Sequence, residues 1–103
     1  AVQGIGGALF EEFLYDESGQ PLSVTFADYL MPTAAEVPDI DCLLTEDSPS
    51  TTNPLALKSA GDSGITAAGA AIAAAVGEAI GKPGAIRRIP ITPLRLRDVL
   101  RGS

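Results

Sequence analysis

"LKSAGDSGITAAGAAIAAAVGEAIGKPG", residues 57–84, decides how the rest of the chain is read. It begins as a loop of small residues around one carboxylate, Asp62, and runs into a helix built almost wholly of alanine. The pattern predicts a helix from about Ser63 to Ile80, capped by Gly81 and stopped by Pro83, which cannot continue it. Alanine covers every face, with Ile65, Ile72, Val76 and Ile80 as the larger apolar residues. Such a helix is expected to be covered on several sides, with Ala70, Ala71 and Ala74 packed against neighbours. Gly64–Ile80 is short, weakly apolar and carries Glu78, so it reads as a buried helix and not as a membrane span.

Upstream, residues 2–15 place Ile5, Leu9 and Phe13 at helical spacing, with Phe10 and Leu14 alongside. Gly4, Gly6 and Gly7 weaken this helix but permit a second backbone to come close. "DESGQP", residues 16–21, is a turn, and the alternating "LSVTFADYL", residues 22–30, reads as a strand. A connection broken by prolines leads to a second short strand over 39–47 and a polar loop over 48–54. Downstream, residues 85–91 read as a strand or an extended edge. Thr92 then caps a short basic amphipathic helix with Pro93 in its first position. The expected architecture is α+β, a small two-layer arrangement of helix on sheet, with residues 1–103 as one unit.

Charge is distributed unevenly. Residues 1–57 carry ten acids and no Lys or Arg, a net −10, whereas residues 58–103 carry seven basic residues and three acids, a net +4. The basic part has no aromatic residue, which argues against nucleic acid as a partner. At 46% hydrophobic and 19% charged residues, the chain is too apolar for disorder. The single cysteine, Cys42, excludes an intrachain disulfide and favours a reducing, cytoplasmic setting; it reads as a buried inert thiol beside Leu43. Without histidine, the chain has neither a His-based triad nor a ligand set for zinc. The N-terminus lacks the basic region and long apolar run of a secretory signal. The chain opens inside a helical pattern without methionine, as a segment of something longer would.

The loop Lys58–Ile65 is the candidate site. Free N–H groups at a helix start and the positive end of the helix dipole favour an anion, Lys58 adds charge, and Gly61 and Gly64 let a bulky ligand approach. A carboxylate placed there can accept a proton from a bound group. The competing reading is an ordinary helix cap at Asp62 or Ser63 with Lys58 in solvent. Asp39, Asp41, Glu46 and Asp47 lack the spacing of a calcium loop and read as solvated acids, and Tyr15 and Tyr29 read as packing residues.

Four blocks in order carry a resemblance: "VQGIGGALFEEFLYDESGQPL", "ADYLMPTAAEVPDI", "NPLALKSAGDSGITAAGAAIAAAVGEAI" and "IPITPLRLRDVL". Together they resemble the C-terminal end of the molybdenum-cofactor subunit of the xanthine oxidase family. That family includes the large chains of aerobic carbon monoxide dehydrogenases and of bacterial aldehyde, isoquinoline and nicotinate hydroxylases. The resemblance implies part of a molybdopterin-binding domain, with the metal held by the pterin, in cytosine dinucleotide form, and by no protein side chain. Iron–sulfur and FAD centres would lie in partner subunits. The remainder of the large subunit and a small-molecule substrate would be the other partners, without nucleic acid or membrane. By motif position Lys58, Ser59, Ala60, Gly61, Ser63, Gly64 and Ile65 would contact the cofactor. Asp62 would stand where the family has the glutamate that takes the proton in hydroxylation. Aspartate withdraws the carboxylate by about 1.5 Å, and a misplacement near 1 Å costs roughly 10²-fold in rate. An inactive structural or assembly domain derived from the same family is therefore the alternative, and an unrelated binding module a more distant one.

Overall fold

In the computed structural model, which describes residues 1–102, the first helix, α1, spans Val2–Leu9. Three glycines in eight residues are each worth up to about 1 kcal/mol against a helix relative to alanine, so packing must hold it. Gly4, Gly6 and Ala8 are buried. The helix ends earlier than its pattern predicts. Phe10 and Glu11 both donate their N–H to the Gly6 carbonyl at 2.9 Å, and the chain then enters a narrow hairpin-like turn. Leu22 N–H donates to the Leu14 carbonyl at 2.7 Å, Ser23 Oγ donates to the Glu12 carbonyl at 2.9 Å, and Tyr15 bridges Pro21. Those pairings take the backbone groups that another helical turn would have used. Asp16 organises the turn by accepting from Ser18 N–H, Ser18 Oγ and Gln20 N–H at 2.7–2.9 Å.

The helix expected over Ser63–Ile80 is two. α2 spans Ser63–Thr66 and α3 spans Ala68–Ala79, separated at Ala67 with φ −102° and ψ −2°. Ser63 Oγ donates back to the Ser59 carbonyl and Thr66 Oγ1 to the Asp62 carbonyl, contacts that compete with regular helical bonding and bend the backbone. α3 stops as its sequence predicts. Gly81, at φ +68°, donates to the Glu78 carbonyl, and Lys82 N–H donates to the Gly77 carbonyl, which is the paired bonding of a glycine-terminated helix. α4 spans Pro93–Arg101, with Thr92 Oγ1 accepting from Arg95 N–H at 3.3 Å and Pro93 opening the helix.

α1 crosses α2 and α3 closely because Gly4 has no side chain. A Cβ at Gly4 would overlap the Ala68 methyl and lie 3.5 Å from Ile65 Cγ1. Around this crossing, Ile91 N–H donates to the Ala8 carbonyl at 2.7 Å, and Ala8 and Ile91 form the buried apolar centre. Two polar links fasten the C-terminal part. Glu12 accepts from Arg95 and Arg88, and Lys82 Nζ donates to the Val99 and Leu100 carbonyls at the end of α4.

The helix-on-sheet expectation is not met. Among the described residues there is no paired strand beyond the Tyr15–Pro21 bridge. The segment 22–30 contains a turn closed by Tyr29 N–H to the Thr25 carbonyl at 2.7 Å, and 39–47 and 85–91 run without ladder partners. A strand needs a continuous neighbour for its N–H and C=O groups, and these segments find only isolated bonds, as at Leu22 and Ile91. Two burial expectations also fail within the chain. Ala70, Ala71 and Ala74 are exposed because α1 covers a different side of α3, and Cys42 is exposed in its extended segment. No helix of the described residues is long and apolar enough to cross a membrane. The radius of gyration is 17.5 Å, against about 13 Å for a compact chain of this length.

Candidate functional site

The loop before α2 forms one wall of an open cleft of about 610 Å³. Lys58, Ser59, Ala60 and Ser63 line it from one side, and Leu43, Leu44 and Glu46 from the other. The opposite wall was not expected from sequence. The sequence signal available for it was the apolar pair Leu43–Leu44 in the segment read as a short strand; in the structure the two are 88% and 85% exposed. The cleft combines one ammonium group, the hydroxyls of Ser59 and Ser63 and an apolar flank. Glu46 brings a carboxylate to the same cleft, and the two serine hydroxyls donate within the loop, to Asp62 Oδ1 and the Ser59 carbonyl, so they meet a ligand as acceptors and Lys58 as a donor.

Asp62 occupies the capping position of α2, yet its side chain makes no capping hydrogen bond. Its Oδ1 accepts instead from Ser59 Oγ at 2.7 Å, and the residue is exposed. The ordinary capping reading therefore does not describe this carboxylate. Ser59 orients it, and the second oxygen remains available to another donor. A Cβ at Gly61 would meet nothing within 4 Å, so the backbone there is open to approach. Of the other two expected contacts, Gly64 is exposed and Ile65 turns inward. Gly64 backs onto the start of α1, where a Cβ would lie 3.2 Å from the Ala1 nitrogen, and the half-buried Ile65 packs towards Gly4. The structure thus gathers Lys58, Ser59, Ala60 and Ser63 on the cleft, leaves Gly61, Asp62 and Gly64 exposed beside it, and commits the Ile65 side chain to packing.

A second groove, of about 430 Å³, lies among Phe13, Val24, Phe26, Tyr29 and Met31. Phe13 and Tyr29 stack at a tilt with centroids 5.0 Å apart, and Tyr29 Oη donates to Glu11 Oε1 at 2.9 Å. That bond to Glu11, with partial desolvation, pushes the Tyr29 hydroxyl above its ordinary range and keeps it a donor. The expectation that Tyr29 packs is met. Tyr15, 60% exposed, packs less than expected.

Residues 1–38 match the family described as molybdopterin cofactor-binding domain. The chain belongs to this family of molybdenum-cofactor subunits, whose relatives act as parts of multi-subunit oxidoreductases. Among those relatives is the 6-hydroxypseudooxynicotine dehydrogenase complex subunit gamma of Paenarthrobacter nicotinovorans, 56% identical over 99% of this chain and 13% of its own length. The nicotine 6-hydroxylase large subunit of the same organism is 34% identical over 98% of this chain and 12% of its own. A solved structure, quinoline 2-oxidoreductase from Pseudomonas putida 86, superposes over 97% of this chain and 13% of that one, with a TM-score of 0.73 and 38% identity. The chain therefore spans about one eighth of the length of the relatives it matches.

Proposed function

We propose that this chain forms one wall of the molybdopterin site in the large subunit of a molybdenum hydroxylase, with Asp62 as its proton acceptor. The observation that carries the reading is the state of Asp62. It is exposed, free of the capping role its position suggests, and aimed by Ser59 in the loop where the family resemblance puts a carboxylate. When bound, the molybdenum cofactor supplies two-electron oxidation of the substrate carbon. Lys58 and the hydroxyls of Ser59 and Ser63 bind its polar groups, and open backbone at Gly61 admits it. Asp62 takes up a proton at its free oxygen, and Ser59 Oγ fixes the carboxylate against rotation. Within this chain the site faces solvent, so exclusion of water falls to the remainder of the large subunit. The cofactor is the cytosine dinucleotide form, iron–sulfur and FAD centres sit in partner subunits, and the complex is cytoplasmic. Relatives named for nicotine and quinoline support a nitrogen-containing aromatic ring as substrate. An inactive assembly role is the second reading, favoured by the shorter reach of aspartate.

The test is substitution in the complete enzyme, reading turnover, molybdenum content and thermal midpoint together. Asp62→Asn keeps the shape and is expected to abolish turnover, with metal content and midpoint unchanged. Asp62→Glu is expected to match or exceed the native rate. Full activity of Asp62→Asn overturns the proton-acceptor role, and an inactive native enzyme with full metal content supports the assembly reading.

A further inference from the structure

The cleft beside the Lys58–Ile65 loop holds a charge that the proposed proton transfer does not use. Glu46 lines the far wall with Leu43 and Leu44, across from Lys58. Among the described residues neither Glu46 nor Lys58 has an ion pair or a side-chain hydrogen bond; the acids that are paired with arginine are Glu12 and Asp98. We infer that Glu46 sets the substrate class of this cleft, selecting a molecule that carries a protonated amine on an apolar ring. The inference deepens the proposed site and rests on that reading.

The balance of donors and acceptors carries it. Ser59 Oγ gives its proton to Asp62 Oδ1 and Ser63 Oγ to the Ser59 carbonyl, so both hydroxyls meet a ligand as acceptors. The Glu46 carboxylate and the second Asp62 oxygen accept only, and the hydroxyls of Thr45 and Ser48 serve either way. Lys58 is the one lining side chain that can only donate, and the proposed site commits it to the cofactor. What meets the far wall must therefore bring donors. A neutral ring would leave Glu46 desolvated and unpaired once the remainder of the subunit closes the cleft, whereas an ammonium group satisfies it with a charge-assisted hydrogen bond. An anionic substituent would be repelled by Glu46 and Asp62 together. The wider field acts in the same sense, since residues 1–57 carry ten acids and no Lys or Arg and draw cations to this wall. Leu43 and Leu44, beside Glu46, supply the apolar surface for the ring.

The test is equilibrium binding to the complete enzyme, fully reduced so that no substrate is oxidised. The probes are aminoethylpyridine and propylpyridine, which differ by an ammonium against a methyl of similar size. Native enzyme is expected to bind the amine at least tenfold more tightly. Glu46→Gln keeps the size and removes the charge. It is expected to weaken the amine at least tenfold and the propyl compound less than twofold, which abolishes the preference. Glu46 is exposed and unpartnered within the chain, so molybdenum content and thermal midpoint should stay at native values. No preference in the native enzyme, or a preference that survives Glu46→Gln, overturns the inference. So does loss of molybdenum from Glu46→Gln, which would assign the carboxylate to the cofactor. Asp62→Asn separates this inference from the proposed proton transfer, because it is expected to stop turnover and still prefer the amine. A preference that depends on Glu46 in an enzyme where Asp62→Asn is fully active upholds the substrate class and removes only the proton-acceptor role.

Discussion

Alanine at Gly4 tests the α1–α3 crossing most directly. Two effects oppose each other. In a helix interior, Gly→Ala gains about 1 kcal/mol of propensity. At Gly4 the new methyl would overlap Ala68 Cβ, well inside the ordinary contact distance of about 3.5–4.0 Å. Both atoms hang directly from helix backbone, so neither can swing away and the helices must separate. Such overpacking costs about 1–3 kcal/mol. Gly7, in the same helix, supplies the control, because a Cβ there meets nothing within 4 Å. Gly4→Ala is therefore expected to unfold more easily than Gly7→Ala by about 1–3 kcal/mol. That is about 4–8 °C in thermal midpoint per kcal/mol for a domain of this size. Circular dichroism melts of the two variants read the difference. Adding Ala68→Gly to Gly4→Ala removes the facing methyl and should restore much of the loss, a coupling that a double-mutant cycle measures. Equal midpoints for Gly4→Ala and Gly7→Ala would refute the close crossing.

Glu12→Gln weakens the contact to Arg95, whose side chains are 20% and 26% exposed, and is expected to cost about 1–2 kcal/mol in urea unfolding. Arg88→Ala, at a side chain 73% exposed, should cost less than about 0.5 kcal/mol in the same assay. Lys82→Met removes the donor to the Val99 and Leu100 carbonyls and the positive charge at the end of α4. Faster amide hydrogen exchange in the last turn of α4, with a loss of about 0.5–1 kcal/mol, is the expected result. Hydrogen bonds from Ser18 and Gln20 hold the Asp16 carboxyl below its ordinary range, and those from Thr33 do the same for Glu36. Their contribution is complete above the ordinary carboxylate values and is lost as pH falls through the lowered ones. The amide signals of Ser18, Gln20 and Thr33 should stay constant near neutrality and shift only in acid, and an Asp16→Asn variant should remove the Ser18 and Gln20 transitions.

What the sequence determined by itself is local. Gly81 ends α3 and Thr92–Pro93 starts α4 because a cap is satisfied by groups a few residues away, whatever the rest of the chain does. The turn at 16–20 follows from Asp16 bonding its own near neighbours, and the blocks that place the chain in its family are read directly. Tertiary structure decided the rest. Nothing in residues 2–15 announces that α1 ends at Leu9, because the competing donors, Leu22 N–H and Ser23 Oγ, lie across the turn. Alternation in 22–30 shows a face fit to be covered but not by what, since a strand's bonds close only on a distant partner. The same holds for α3, where alanine on every side permits many neighbours and only the Gly4–Ala68 approach selects one. For Asp62 the motif showed where a carboxylate stands, while its bond to Ser59 in place of a cap emerged only from the folded loop.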